Sequence, residues 1–143
     1  MYNIYRKDER EEIFMGYYTS FNLTVTKREG SSFKEIGREI EIEIAKKLCE
    51  ISDWFQSDDF DKTVEKSDYP LAELIGFDTK KWYDHYDEMK TLSKEFPSFY
   101  FELEGFGEEL DDVWREYFHN GEAMHADAKI IYDKPEWFEG DLQ

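Results

Sequence analysis

The pattern that most restricts the fold of this chain is a β-hairpin signal at Asn120-Gly121. Asn-Gly between two apolar-rich runs is the strongest short-range sign of a two-residue hairpin turn, because both residues accept positive φ angles. We therefore predict one strand at 113–118 and a returning strand at 123–132. This pair requires a sheet, since an isolated hairpin is only marginally stable in water.

Alternation with a period of two predicts two further strands. Phe99, Phe101 and Leu103 alternate with more polar residues just before the hairpin. A second run at 14–26 is rich in β-branched and aromatic types and alternates in the same way. A period of two places one side of each strand against a core and the other toward solvent.

Two helices are predicted between the first strand and the other three. Residues 32–35 read Ser-Phe-Lys-Glu, which fits a capping box. Apolar residues then recur at spacings of three and four as far as Ile51, which indicates a helix of roughly twenty residues. Residues 38–44 also alternate like a strand, but the cap and the longer stripe favour a helix. The second helix is predicted at 82–96, before Pro97.

The order of these elements predicts a single α+β domain over residues 1–143, with an antiparallel sheet and two helices on one face. We expect an N-terminal extension at 1–12, a long connection at 56–79 with about one turn of helix near 71–75, and a polar tail at 133–143. The 12 Phe, 10 Tyr and 4 Trp supply a core although 37% of the residues are charged.

Negative charge is concentrated at the C-terminal end of the chain. The formal net charge is −17, and residues 101–143 hold thirteen acidic and three basic residues. The negative electrostatic field of such a region repels nucleic acid and membranes and attracts basic partners. No apolar run approaches a membrane span, and the first residues lack the apolar core of a signal peptide, so we expect a cytoplasmic protein.

Our candidates for binding a partner are acidic residues of the predicted strand that begins at Phe99, of the turn after it and of the strand at 113–118. Same-face residues on a strand lie about 7 Å apart, close to the roughly 6–7 Å between phosphates of a nucleic-acid strand. Such a surface could occupy a basic groove that normally holds DNA or RNA; the alternative is a solvated face without a partner. The candidate residues are Glu102, Glu104, Glu108, Glu109, Asp111, Asp112 and Glu116.

No pattern points to catalysis, to a metal or to a cofactor, and we expect none of them. The acid clusters at 58–61 and 84–88 lack the spacing of a calcium loop. His119 and His125 flank the hairpin turn and could face each other across it, but their spacing matches no zinc site. Cys49 is the one cysteine and is expected to be a small core residue.

The aromatic pair Trp137-Phe138 lies in the tail. We expect core or edge packing for these rings, and the alternative is an exposed anchor for a partner or a dimer. Direct nucleic-acid binding is not expected, because Arg115, Lys129 and Lys134 are the only Lys or Arg residues after position 100. Sheets that bind RNA combine aromatic rings with such basic residues.

A family resemblance begins at Trp82. The runs at 82–97, 101–109 and 112–121 resemble small proteins of phages and mobile elements, related to the YubB ferredoxin-like domain. The resemblance covers residues 80–132 and, more weakly, the first strand and helix. It implies a ferredoxin-like sheet with two helices and a phage origin, and it implies no reaction.

Together these patterns predict a non-enzymatic phage protein that inhibits a host nucleic-acid-handling defence protein, for example as an anti-CRISPR. Its partner would be a basic nucleic-acid-binding protein in the bacterial cytosol. One alternative is a module that sequesters a small molecule such as a nucleotide, between the connection at 56–79 and the sheet. Others are a hydrolase with an acidic metal site and an accessory protein that forms a homodimer through a sheet edge.

Overall fold

The computed structural model describes residues 16–140, which form a five-stranded antiparallel sheet with helices on one face. The predicted extension at 1–12 and the last three residues of the tail lie outside the described residues. The α+β class predicted from the sequence is confirmed. In chain order the elements are β1 (Ser20–Glu29), β2 (Ser32–Glu35), α1 (Arg38–Ile51), α2 (Lys62–Lys66), α3 (His85–Glu95), β3 (Phe99–Phe106), β4 (Val113–His119) and β5 (Glu122–Asp127).

The strand order in the sheet is β2-β1-β3-β4-β5, and every neighbouring pair is antiparallel. The N-terminal strand β1 therefore lies between β2 and β3, and its register runs from Ser20 opposite Phe106 to Lys27 opposite Phe99. Both long helices lie between β2 and β3 in the chain. This arrangement is consistent with the ferredoxin-like sheet that the resemblance implies.

The hairpin between β4 and β5 is confirmed. Asn120 and Gly121 have φ angles of 46° and 86°, the left-handed conformation that a two-residue turn of this kind requires. β5 is shorter than predicted and ends at Asp127. The next amide, that of Ala128, donates to the carbonyl of Val113, the first residue of β4, so the partner strand offers nothing further to pair with.

The predicted capping box is wrong. Ser32–Glu35 is strand β2, which turns back on β1 after Gly30, whose φ of 64° permits the tight reversal. The ring of Phe33 packs edge-on against Tyr100 of β3 at 5.2 Å, a contact that a helical start would lose. α1 begins only at Arg38. Pairing across the sheet therefore outweighs the local capping pattern.

The alternating run at 38–44 is helical, as the longer apolar stripe predicts. Ile44, Ala45, Leu48 and Cys49 form the buried side of α1. Their spacing of one, three and four residues matches the period of a helix and not that of a strand.

The second predicted helix, α3, begins at His85 instead of at position 82. Trp82 lies just before it and is among the most buried side chains of the core. Its ring contacts Phe21 of β1 at 5.1 Å and Phe55, after α1, at 4.9 Å. Trp82 therefore links the connection to the sheet instead of starting a helix.

The connection at 56–79 holds more structure than the single turn predicted. It contains a 3₁₀ turn at Ser57–Asp59, the short helix α2 and a π turn at Ala72–Gly76. The carboxylate of Asp61 caps α2 by accepting from two backbone amides. The Arg38 guanidinium donates to the Ser67 carbonyl at 2.7 Å and also to the Glu65 carbonyl, which ties α2 to the start of α1.

The helices cover only one face of the sheet. That face contributes Phe21, Val25, Phe101 and Leu103 to the core, against Met89 of α3 and the buried side of α1. Side chains on the other face are partly or fully exposed. Within residues 16–140 no helix is long and apolar enough to cross a membrane.

Candidate partner-binding surface

The uncovered face of the sheet holds two of the predicted strand carboxylates, Glu102 and Glu104. Pairing aligns Thr24, Glu102, Tyr117 and Met124 in one row across β1, β3, β4 and β5. Residues directly opposite each other in a ladder share a face. All four side chains therefore point away from the helices, and all four are partly or fully exposed.

A concave groove of about 590 Å³ runs over this face. We call it the aromatic groove, because the rings of Phe33, Tyr100, Tyr117 and His119 are part of its lining. Glu102 and Glu122 contribute the only carboxylates to its lining, which contains no lysine or arginine. The lining residues are Thr24, Thr26, Phe33, Tyr100, Phe101, Glu102, Tyr117, Phe118, His119, Glu122, Ala123 and Met124.

Contacts between the rings fix the floor of the aromatic groove. Tyr100 and His119 stack with centroids 3.9 Å apart and planes 3° apart. His119 donates from Nδ1 to the Phe99 carbonyl at 3.0 Å, which sets the orientation of the imidazole. Phe33 stands edge-on to Tyr100. The surface that these rings offer to a ligand is therefore formed before any ligand arrives.

Arg115 neutralises part of the predicted acidic surface. Its guanidinium donates to Glu104 at 2.8 Å and lies 3.8 Å from Glu102. The hydrogen bond from Arg115 is the main cause that lowers the pKa of Glu104 below its ordinary value. The sheet face is thus less negative than the sequence alone predicts, and Glu104 is partly paired within the chain.

The turn between β3 and β4, residues 107–112, is the more acidic part of the surface, and we call it the acidic turn. The hydroxyl of Tyr17 donates to Asp112 at 2.7 Å and accepts from the amides of Glu108 and Glu109. Burial, then the bond to Asp112, raises the pKa of Tyr17 to about 12. Tyr17 therefore holds the turn in shape. The predicted residues in it are Glu108, Glu109, Asp111 and Asp112.

Glu116 does not belong to the acidic surface, which corrects the sequence prediction. It lies opposite Leu103 in the register, whereas Glu102 lies opposite Tyr117, so Glu116 points to the helix side. Its side chain is only 2% exposed. Its two oxygens lie 2.7 Å from Nδ1 of His85 and 2.7 Å from Nδ1 of His125.

The two histidines beside the hairpin lie on opposite faces of the sheet, so they do not face each other across the turn. His125 pairs opposite Glu116 and shares its side of the sheet. His119 pairs opposite Glu122 and lies in the aromatic groove. The reason is the odd spacing between His119 and Glu116 on β4, because successive strand residues alternate between faces.

A chain of hydrogen bonds on the helix side was not predicted. It runs from His85 through Glu116 to His125, and then from His125 Nε2 to Asp127 at 2.8 Å. The bond to Glu116 is the main cause that raises the pKa of His125. His85 also stacks on Trp114 at 4.6 Å. His85 lies on α3, far in sequence from Glu116 and His125, so only tertiary packing brings these groups together. No local sequence pattern could have predicted the chain of hydrogen bonds.

The tail aromatics are exposed, which corrects the expectation of core or edge packing. Trp137 is 81% exposed and Phe138 is 42% exposed, and the two rings contact each other at 6.4 Å. The alternative prediction, that these rings anchor a partner or a dimer, requires them to be exposed, and they are.

One acidic cluster brings Asp84 and Glu88, from the acidic run at 84–88, together with Asp53. The Glu88 carboxylate is buried but already accepts hydrogen bonds from the Trp82 indole at 2.7 Å and from the Asp53 amide at 2.8 Å. These two donors explain the buried position of the Glu88 carboxylate, so the cluster gives no reason to assign a metal.

The connection encloses a second hollow, of about 600 Å³. Lys80 is buried beside it and donates to the Phe77 carbonyl at 2.5 Å, and burial lowers the pKa of this lysine. Four carboxylates oppose this single cation, which disfavours a phosphate ligand. They belong to Asp59, Asp61, Glu73 and Asp78. The hollow between the connection and the sheet, where the alternative hypothesis of a small-molecule module places its ligand, measures only about 190 Å³.

Cys49 lies in the core, as predicted. Burial raises the pKa of its thiol to about 11. A thiol of this kind is a poor nucleophile near neutral pH, because the thiolate is the reactive form.

The sequence prediction missed most of the aromatic groove. Tyr117 and Met124, and likewise His119 and Glu122, are opposite pairs in the hairpin register. Counting outward from the Asn-Gly turn would have revealed both pairs. The same counting could not have identified Phe33, because residues 32–35 were predicted to begin a helix.

Comparisons with protein-family models, with curated proteins and with solved structures found no match. The resemblance to the YubB ferredoxin-like domain therefore stays a prediction. The functional argument depends on the geometry of the surface described above.

Proposed function

We propose that this protein is a non-enzymatic binding protein that captures a basic partner through the uncovered sheet face and the acidic turn. One observation carries the proposal: a whole face of the sheet is uncovered, and the aromatic groove on it combines aromatic side chains with two carboxylates. No lysine or arginine is among the residues that line this groove. Exposed apolar surface with a polar rim is typical of protein interaction sites. The net charge of −17 selects for a basic partner and speeds its approach.

In its specific form, the partner is a nucleic-acid-handling defence protein of a bacterial host, and the protein is a phage inhibitor such as an anti-CRISPR acting in the host cytosol. The partner's basic groove would receive the carboxylates of the acidic turn in place of phosphates. Glu116 has no part in this contact, because it is buried on the other side of the sheet. Glu102 and the four acids of the turn carry the attraction, and Glu104 contributes less, because Arg115 already pairs with it.

The test compares two charge-reversed variants in pull-downs from host cytosol, read by mass spectrometry after low-salt and high-salt washes. The first variant changes Glu102, Glu104, Glu108 and Glu109 to lysine. The matched control makes the same change in net charge on the helix side, at exposed residues of α1 and α3. The control positions are Glu39, Glu43, Glu50 and Asp87.

We expect the wild type and the control to retain one basic nucleic-acid-binding protein, which high salt releases, and the first variant to lose it. The retained protein should lose its nucleic-acid activity when the wild type is added. Equal retention by both variants would refute the proposed surface. Equal loss would mean that net charge alone drives the capture.

Formation of a homodimer through the same face is the alternative that the open sheet also permits. Sedimentation analysis across a wide concentration range separates the two, since a homodimer shows a mass that rises with concentration. A constant monomer mass supports a different protein as the partner.

A further inference from the structure

The aromatic groove contains both kinds of group that hold a guanidinium. Aromatic faces attract cations through the ring quadrupole, and carboxylates pair with the planar fork of arginine. Its walls supply the rings of Tyr100 and Tyr117 and the carboxylates of Glu102 and Glu122, and no lysine or arginine. Arg115 lies outside this lining, 3.8 Å from Glu102, and already donates to Glu104, so it balances the charge of Glu102 only in part.

The same sheet face already shows both ways of holding a guanidinium. Arg28 lies over the ring of Phe33, with 5.2 Å between the guanidinium carbon and the ring centroid. Arg115 donates to Glu104 and lies near Glu102. Arg28 belongs to β1 and Arg115 to β4, two strands that contribute residues to the groove, but neither arginine is part of its lining.

Other ligands fit the groove less well. A nucleotide would find rings to stack on, but Glu102 and Glu122 would repel its phosphates. A lysine ammonium is a compact, strongly hydrated charge that gains less from a flat aromatic wall than a guanidinium does. A purely apolar segment would remove these two carboxylates from water and offer them no hydrogen-bond donor in return, which is costly.

We infer that the aromatic groove binds an arginine side chain of the basic partner, stacked on the tyrosine rings and paired with Glu102 and Glu122. This inference rests on the proposed function and deepens it, because it divides the surface into two parts with different tasks. The acidic turn attracts the partner over distance, and the groove selects arginine at contact. The groove variants below leave the acidic turn unchanged, so the two tasks are tested separately.

The test uses the whole chain and three synthetic peptides of one flexible sequence that carry two arginines, two lysines or two citrullines. Citrulline keeps the shape of arginine but has no charge. Binding is measured by calorimetry and by shifts of the backbone amide signals in nuclear magnetic resonance. We expect the arginine peptide to bind about threefold more tightly than the lysine peptide, the order that one exposed cation–ring contact supplies. The citrulline peptide should not bind measurably.

The variant E102Q/E122Q removes both charges of the groove and keeps the side-chain shapes, and Tyr117→Leu removes a ring. The charge variant should weaken binding of the arginine peptide about tenfold and the ring variant about threefold, with the largest signal shifts of the wild type at β3–β5. The control E39Q/E43Q, on α1, should bind as the wild type does. Because all these residues are partly or fully exposed, circular dichroism should show the native fold in every variant.

Equal affinities for the arginine and lysine peptides, or unchanged binding by E102Q/E122Q, would overturn the inference. The partner pull-down could still succeed in that case through the acidic turn, so the proposed function would survive. Arginine-selective binding that E102Q/E122Q abolishes would support the groove even if no partner protein were captured from the cytosol.

Discussion

Glu116 and His125 face each other across β4 and β5, with 2.7 Å between Oε2 of the carboxylate and Nδ1 of the imidazole. The other carboxylate oxygen lies equally close to Nδ1 of His85 on α3. A buried carboxylate thus joins the edge of the sheet to the first turn of a helix. Charged groups are costly to bury unless they are paired and hydrogen-bonded, and these two imidazoles provide that pairing.

The pairing predicts that the free energy of unfolding falls as pH rises above neutrality. The hydrogen bond to Glu116, helped by Asp127, raises the folded-state pKa of His125 above its ordinary value of 6.5. A raised pKa gives stability that is fully present below pH 6.5 and is lost as pH rises through the folded-state pKa. Urea unfolding at pH 6, 7, 8 and 9 measures this loss.

The variant His125→Gln should flatten that pH dependence, whereas His119→Gln should leave it unchanged, because His119 lies on the other face and does not contact Glu116. A wild-type stability that stays constant or increases over this range would contradict the prediction.

Glu116 and Glu102 should respond very differently to alanine. Glu116→Ala leaves two imidazoles without their shared acceptor and opens a cavity, so we expect a loss of about 3 kcal/mol in the free energy of unfolding. Glu102→Ala removes an exposed carboxylate 3.8 Å from Arg115 and should cost at most about 1 kcal/mol. Urea denaturation of both variants at pH 6 provides the comparison. Similar costs would mean that Glu116 is not buried as described.

Gly105→Ala should destabilise the sheet. A Cβ at Gly105 would lie 2.1 Å from the ring of Trp114, which packs across β3 at this point. Since a large buried ring has little room to move, we expect a cost of about 3 kcal/mol or more. The control is Gly76→Ala, where the nearest contact would be the Cβ of Ala72 at 3.8 Å. The midpoints of thermal unfolding test this, and equal midpoints for the two variants would refute the packing.

Cys49 should resist thiol reagents while the protein is folded. Its pKa rises from 9.0 to about 11, so at pH 8 the thiolate fraction falls about a hundredfold. Its burial against Leu48 and Ile44 slows the reaction further. The rate of reaction with a chromogenic disulfide should increase sharply at the urea concentration that unfolds the chain. Rapid labelling in native buffer would contradict this.

Several features of this protein follow from the sequence by local rules. The Asn120-Gly121 turn required positive φ angles, and the alternation at 99–103 required one buried and one exposed side, so the hairpin and β3 could be predicted. The stripe through Leu48 likewise identified α1. Each of these signals lies within about a dozen residues, the distance over which backbone geometry and side-chain period act.

Other features were decided only by the tertiary structure. Ser32–Glu35 has a helix-capping pattern, yet the hairpin with β1 and the contact of Phe33 with Tyr100 make it a strand. Glu116 looks like one more surface acid, yet the register turns it into the core toward His85. The sequence by itself determined which segments are strands or helices where the local period is clear, and how negative the chain is. The pairing register decided which acids and rings share a face, because a shift of one residue exchanges the two faces of a strand.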